Sequence, residues 1–492
     1  MHSRLADNAT ASRGQTFGAE KNSPHTRWRD SLAAAGAAIA LLLTAPACAQ
    51  TFDAGLTAKY VTAAGDTLYE IAQRYLTDAK GWRALAGLNH ISAPRRLPAG
   101  MTLRLPLALL RRDAEPASVI ATSGLVTIRS RGHFFGAAAT PAMPLLVGRT
   151  VGESDAVSTG PDGFATLELA DGSYVSLTPN SSIVLSILRK MALTGINERV
   201  IELDKGEVSN EVTHAKQLGD RFEVHTPSIV AGVRGTHFRV QVSPSMSAVE
   251  VLDGRVAVGA TTDVARRGSD EAQPRSNTAR LVEAGNGSAT LVNGEVGAPQ
   301  PLLPAPRLVD PSKVQANRSV TFNLEPQAGA DGYRVQIARD ADLLDLIRDA
   351  HVQAPSATFS DIADGTYFVR VSAIDRNGLE GLPRVYAFER RANEISASAA
   401  PGSRLHEYRF IWRASRTDGR TDADTEARFR FVLALHRDLH DPILDVADLT
   451  STSLAVSNLP PGDYYWRVIA EQHEHGRFYE TPGPVREFTL AN

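Results

Sequence analysis

The clearest alternation of apolar and polar positions lies at residues 222–242, FEVHTPSIVAGVRGTHFRVQV. Phe222 and Val224 alternate with Glu223 and His225, and Phe238, Val240 and Val242 alternate with Arg239 and Gln241. A period of two is that of a strand with one face buried. Pro227, Gly232 and Gly235 interrupt the two runs and predict a tight corner or bulge. Short strands with scarcely any helical period continue across residues 119–300, which predicts an all-β sandwich, barrel or solenoid. Residues 119–128 read as an extra strand or strand pair, and residues 185–193 as a strand between β segments. Asp171-Gly172, Asp204-Lys205-Gly206 and Asp253-Gly254 each separate two such runs and are expected to be hairpin turns, since Gly and Asp tolerate positive φ. LVEAGNGSATLVNGEV is expected to add a last hairpin, and residues 266–277 a polar loop.

Residues 58–106 follow a different pattern. Thr67 with Glu70 forms a capping box, and Leu68, Ile71, Ala72 and Tyr75 follow at helical spacing. Trp82, Leu85 and Leu88 give a second helix a buried stripe, Asn89 is a helix stop, and residues 102–105 close the module as a strand. Strand, helix, helix, strand is the expected order. LALLRRDAEPA after it reads as a linker, and PLLPAPRLVDP near residue 301 as a proline-rich one. Beyond that the chain repeats itself. ADGTYFVRVSAID at 363–375 is similar to PPGDYYWRVIAEQ at 460–472, and 333–347 to 429–443, an offset of about 96 or 97 residues, typical of a β-sandwich module.

The first 49 residues have the order of a secretory signal: a polar stretch with Arg4, Arg13, Lys21, Arg27 and Arg29, the apolar run LAAAGAAIALLL, and Ala47-Cys48-Ala49. The run is too short for a standard membrane span. Cleavage is expected after Ala49. Lipidation at Cys48 and retention as an uncleaved anchor stay as alternatives.

Cys48 is the one cysteine, which excludes a Cys-ligated zinc site and a cysteine nucleophile in a mature chain. With 52 Lys and Arg against 55 Asp and Glu there is no basic surplus to neutralise phosphates, so nucleic acid is not an expected partner. Length and composition, 492 residues with 43% hydrophobic and 22% charged, fit several globular domains.

Thr226, Pro227, Val233, Gly235, Thr236 and Phe238 carry a resemblance to the FecR domain family, extending over about residues 140–260. Regulatory members of that family carry a cytoplasmic anti-sigma segment before a membrane span; residues 1–30 are too short and too polar for such a domain. Gly65-Asp66-Thr67-Leu68, Ile71-Ala72, Tyr75, Asn89, Ile91, Pro94, Gly100 and Leu103-x-Leu105-Pro106 make residues 58–106 similar to the LysM family. That resemblance implies binding of N-acetylglucosamine-containing glycan, peptidoglycan above all, in a groove between two loops. The residues it nominates are Gly65, Asp66, Thr67 and Leu68 on one side and Asn89, His90, Ile91 and Pro94 on the other. Gly-x-Tyr leading into alternating strands makes the C-terminal repeats, 301–393 and 394–492, resemble fibronectin type III domains, with Tyr367 and Tyr464 as structural tyrosines.

The expected architecture is therefore multidomain and mainly β: a βααβ module at 58–106, an all-β region at 119–300 and two Ig-like sandwiches. His225, Arg234, His237 and Arg239 cluster in sequence; the reading favoured here is that Arg234 and His225 satisfy backbone carbonyls at the glycine corner, and an anion or partner site is the alternative. His436, His440, His473 and His475 with Glu474 make no closed ligand set, so no metal and no cofactor is assigned. No Ser-His-Asp order, paired-carboxylate spacing or HExxH is present. The expectation is a non-catalytic, exported envelope protein that holds peptidoglycan and offers its β domains to an unidentified envelope protein. The alternatives are a FecR-type transmembrane regulator and, third, a peptidoglycan-modifying enzyme.

Overall fold

The computed structural model describes residues 56–130, 141–217, 219–261, 279–292, 295–311, 314–317, 319–391, 393–404, 407–416, 428–474 and 477–490. The expected leader, the loop at 266–277 and His475 lie outside them. Residues 54–492 make one compact unit. The fold is multidomain and mainly β, and among the described residues no helix is long and apolar enough to cross a membrane.

The first module is βααβ. Strand β1 (Thr57–Val61) pairs antiparallel with β2 (Thr102–Pro106), with helices α1 (Leu68–Tyr75) and α2 (Trp82–Leu88) between them in sequence. The helical period of Leu68, Ile71 and Ala72 turns one face of α1 inward, where it meets Leu85, Leu103 and Leu105. The segment after β2 is not a linker. Leu110 is fully buried in the same cluster, and strand Arg112–Ala114 pairs with the end of strand Ser182–Met191. Met191 joins the cluster from the other side, with Leu193 and Ile196 packed against it. Leu107, Leu109 and Leu110 are apolar positions that a solvated linker would leave in water; the chain buries Leu110 and half-buries the other two, which welds the module to the next body.

Strands between residues 112 and 301 form two facing, mainly antiparallel layers that close into a barrel, with Asn197–Glu211 and Arg221–His225 a parallel pair. Strands Ala156–Thr159, Ser182–Met191, Arg221–His225, Ile229–Val233 and Arg255–Ala260 belong to one layer. Phe164–Glu168, Tyr174–Leu177, His237–Val242, Met246–Asp253 and Asn286–Leu291 belong to the other. Strand Asn197–Glu211 serves both: its first half pairs with Arg221–His225, and from Gly206 on it pairs with His237–Val242. Phe222, Val224, Phe238 and Val240 fill the space between the layers, as their alternation requires, with the Phe222 and Phe238 rings edge to face at 6.3 Å.

Most of the expected hairpins are something else. Asp171-Gly172 does join paired strands. Asp204-Lys205-Gly206 instead lies inside one continuous strand, and the strands flanking Asp253-Gly254 do not pair with each other. The same holds for residues 117–129 and 280–291. In each case a glycine at positive φ carries the chain from one layer to the other rather than back along its neighbour. Gly206 (φ +81°) shows why glycine is required: a Cβ there would lie 2.5 Å from the Ser181 Cα.

Two sandwiches follow. In the first, strands Val320–Asn323 and Ser356–Phe359 face a sheet built from Ala330–Ala338, Leu346–Val352, Gly365–Asp375 and Arg384–Arg390. In the second, Asn393–Pro401, Glu407–Arg416 and Ser453–Ser457 face a sheet containing Arg428–Ala434, Leu444–Leu449 and Gly462–Glu474. The sequence repeat falls on equivalent strands. Each sandwich has its own core. The Tyr464 hydroxyl donates to the Pro460 carbonyl at 2.5 Å, a tyrosine corner, and Tyr367 is buried and stacks on Phe388 with centroids 5.7 Å apart.

Candidate functional site

The two loops nominated for glycan contact lie side by side. The Leu68 N–H donates to the Pro94 carbonyl at 2.9 Å, tying loop 65–68 to loop 89–94. Several nominated side chains already serve the fold. Thr67 Oγ1 accepts from the Glu70 N–H at 3.2 Å, and the Glu70 carboxylate accepts from the Thr67 N–H in return. Asp66 accepts from the Ala63 N–H at 2.7 Å and from the Tyr60 hydroxyl at 2.8 Å; these bonds, the backbone one first, hold its carboxyl below the usual range. The Asn89 side chain donates to the Leu85 and Arg104 carbonyls and accepts from the Arg104 N–H, which fixes the end of α2 onto β2. Leu68 is fully buried. What remains open to a ligand is exposed Gly65 and His90, half-buried Ile91 and Pro94, and loop backbone, a set suited to an uncharged sugar.

The basic and imidazole groups around the glycine corner do not form one site. Arg221, Glu223 and His225 lie on the outer side of one layer, where the His225 Nε2 meets the Glu223 carboxylate at 2.7 Å and Arg221 meets it at 2.7 Å. The partner of His225 is thus a carboxylate and not a backbone carbonyl: its strand is flanked by pairing partners that already use the backbone groups. His237 and Arg239 lie on the outer side of the other layer, beneath the first sandwich. Burial, then Arg370 and Arg239, push the His237 imidazole down to about 4. Arg234 is exposed at the rim of a small cavity of about 30 Å³ lined also by Asp171, Asn197, His214 and Lys216.

The densest polar cluster was unreadable as such in the sequence. Arg334 of the first sandwich donates to Glu207 at 2.7 Å, to Glu380 at 2.6 Å and to Asp349 at 2.6 Å, and is almost fully buried. Arg239 pairs with Glu380 and donates to the Glu380 and Gly381 carbonyls at 2.6 and 3.0 Å. Burial pushes the neighbouring Glu250 carboxyl up to about 8, opposed by Arg239. Each arginine of this cluster faces carboxylates, and none of it is open to a substrate. Its place between barrel and sandwich makes it an internal joint. His436 and His440 stand in a turn after strand Arg428–Ala434 with rings stacked at 4.0 Å, His440 bound to Asp438; among the described residues no group of His, Cys, Asp and Glu is arranged to hold a metal.

Comparison with known proteins matches two family models: the LysM domain over residues 60–106 and the FecR protein over residues 155–257. No curated protein matches the chain. Among solved structures, a proposed anti-sigma factor from Parabacteroides distasonis is 20% identical, with a TM-score of 0.23 over 30% of this chain and 59% of that one. The chain thus spans about three-fifths of that protein's length. The FN1–FN3 domains of chicken CNTN1 match at 18% identity and a TM-score of 0.19, over 51% of this chain and 99% of that one. The fibronectin(III)-like modules of Clostridium thermocellum CbhA match at 16% and 0.19, over 38% and 93%.

Proposed function

We propose that the protein is a non-catalytic, exported component of the cell envelope that holds peptidoglycan through residues 58–106 and presents its β domains to a protein partner. The observation that carries this is the LysM match over residues 60–106, on a module whose loops 65–68 and 89–94 meet at the surface. Backbone groups and small apolar side chains there suit the acetamide and methyl of N-acetylglucosamine. A single shallow site of this kind binds modestly, because the entropy lost in ordering the ligand offsets much of the attraction.

The test is co-sedimentation of the full chain with isolated peptidoglycan. The expected result is pelleting that the loop substitution Ile91→Glu abolishes; a chain that stays in the supernatant overturns the reading. Deleting residues 58–106 is a poorer control, because it uncovers Leu110 and Met191.

A second reading, a FecR-type transmembrane signalling regulator, is favoured by the FecR match over residues 155–257. It needs an uncleaved anchor. N-terminal sequencing of the protein from cells separates the two: a start at Gln50 removes the anchor.

A further inference from the structure

The LysM-like module is basic where the chain as a whole is not. Residues 57–106 hold seven Lys or Arg against three Asp or Glu, whereas the whole chain holds 52 against 55. The three acids are engaged locally: Asp66 by Ala63 and Tyr60, Glu70 in the capping box, Asp78 by the Lys80 N–H at 2.9 Å. The cations are placed differently. Lys59 and Arg104 stand directly opposite each other across β1 and β2, on the outer face of the sheet, and both are exposed. Like charges at a cross-strand pair are destabilising. Among the described residues no carboxylate pairs with either, and nothing in the packing calls for them. Arg95 and Arg96 follow Pro94 in the loop that Leu68 holds, both exposed and without a carboxylate partner among the described residues. The Arg104 backbone is in turn bound to Asn89 at the start of that loop.

We infer that these exposed cations take the carboxylates of the peptide stem of peptidoglycan, so that the module selects stem-bearing glycan over an uncharged N-acetylglucosamine oligomer. The inference rests on the glycan reading above and adds its charge selectivity. Sugar contacts fall to the loop backbone with Ile91 and Pro94, and Lys59, Arg95, Arg96 and Arg104 meet the anionic peptide beside it. An anion between Lys59 and Arg104 would offset their mutual repulsion, which is the kind of local conflict that functional sites retain.

The test uses the full chain with three ligands: peptidoglycan with stems, the same peptidoglycan with its stem carboxylates converted to carboxamides by carbodiimide and ammonia, and chitohexaose. Exposed ion pairs are individually weak and screened by salt. The expected result is a preference for the peptidoglycan with free stem carboxylates over both other ligands that disappears at high salt. The Arg95→Gln/Arg96→Gln double variant is expected to weaken that binding about fivefold while leaving chitohexaose within about twofold. Lys59→Gln/Arg104→Gln should act alike while relieving the cross-strand repulsion, so it keeps the test clear of folding defects. Binding to peptidoglycan that is independent of salt, of stem amidation and of both variants overturns the charge selectivity and leaves the glycan reading standing. Binding to none of the three ligands overturns both.

Discussion

Arg239 and Glu380 are 141 residues apart in sequence and form an ion pair closed to water at the joint between the barrel and the first sandwich. Arg239 is fully buried, and its second terminal nitrogen donates to two carbonyls of the same sandwich loop. Arg334 makes the reciprocal reach, from the sandwich to Glu207 of the barrel. Flanking this polar centre, Phe164 packs with Leu343 and Leu346, and Ala248 with Leu302 and Leu379.

Removing one partner leaves the other charge buried. Arg239→Ala is expected to destabilise the joint by about 3–5 kcal/mol. Differential scanning calorimetry should show the barrel and first-sandwich transition moving down, with the second sandwich unmoved, since its core is separate.

The joint also sets a pH dependence. Glu250 titrates at about 8 in the fold against an ordinary 4.5, so the folded state keeps a proton that the unfolded chain gives up. Stability from this group therefore falls as pH rises from 4.5 towards 8. His237, pushed from 6.5 to about 4, acts the other way and adds stability as pH rises between those values. Of these two groups, only Glu250 still titrates above pH 6.5. Glu250→Gln is expected to be more stable than the parent at pH 8, and urea midpoints from pH 6.5 to 8 check this.

Gly206→Ala forces a side chain into positive φ and against the backbone of Ser181. The expected loss is roughly 1–3 kcal/mol. Equilibrium urea unfolding measures it, with Gly172→Ala as a milder comparison at the same sign of φ, where the nearest contact is 3.7 Å.

Tyr464→Phe removes the bond to the Pro460 carbonyl and leaves the ring packed on Phe488 at 5.2 Å. A loss of about 1 kcal/mol is expected. It should appear as a lower Tm of the second sandwich only.

The sequence patterns carried the modules better than their joints. Helical spacing in α1 and strand alternation at Phe222, Val224, Phe238 and Val240 were legible because one physical demand, burial of one face, fixes them. Glu207, Arg239 and Glu250 occupy the opposite face, where alternation marks them as polar and says nothing of what covers them. Their partners Arg334 and Glu380 lie in another module, out of reach of any local period. Glycine at positive φ was legible at Gly206 and Gly254, but a hairpin and a crossing between layers ask for the same residue. At the candidate site, Thr67 and Asn89 were visible as caps, and the structure shows them capping. The basic pair Lys59 and Arg104 was missed, although both sit at outward positions of their strands.

Strand Asn197–Glu211 begins one residue after Ile196, which packs against the βααβ module, and carries Glu207, which grips the first sandwich. A pull between a fixed cell wall and a docked partner would thus run lengthwise down one strand held by neighbours on both sides. Its hydrogen bonds would resist together, in shear, and would not open singly like a zip. On the proposed function, that strand would be the stiff link through which tension between wall and partner is carried.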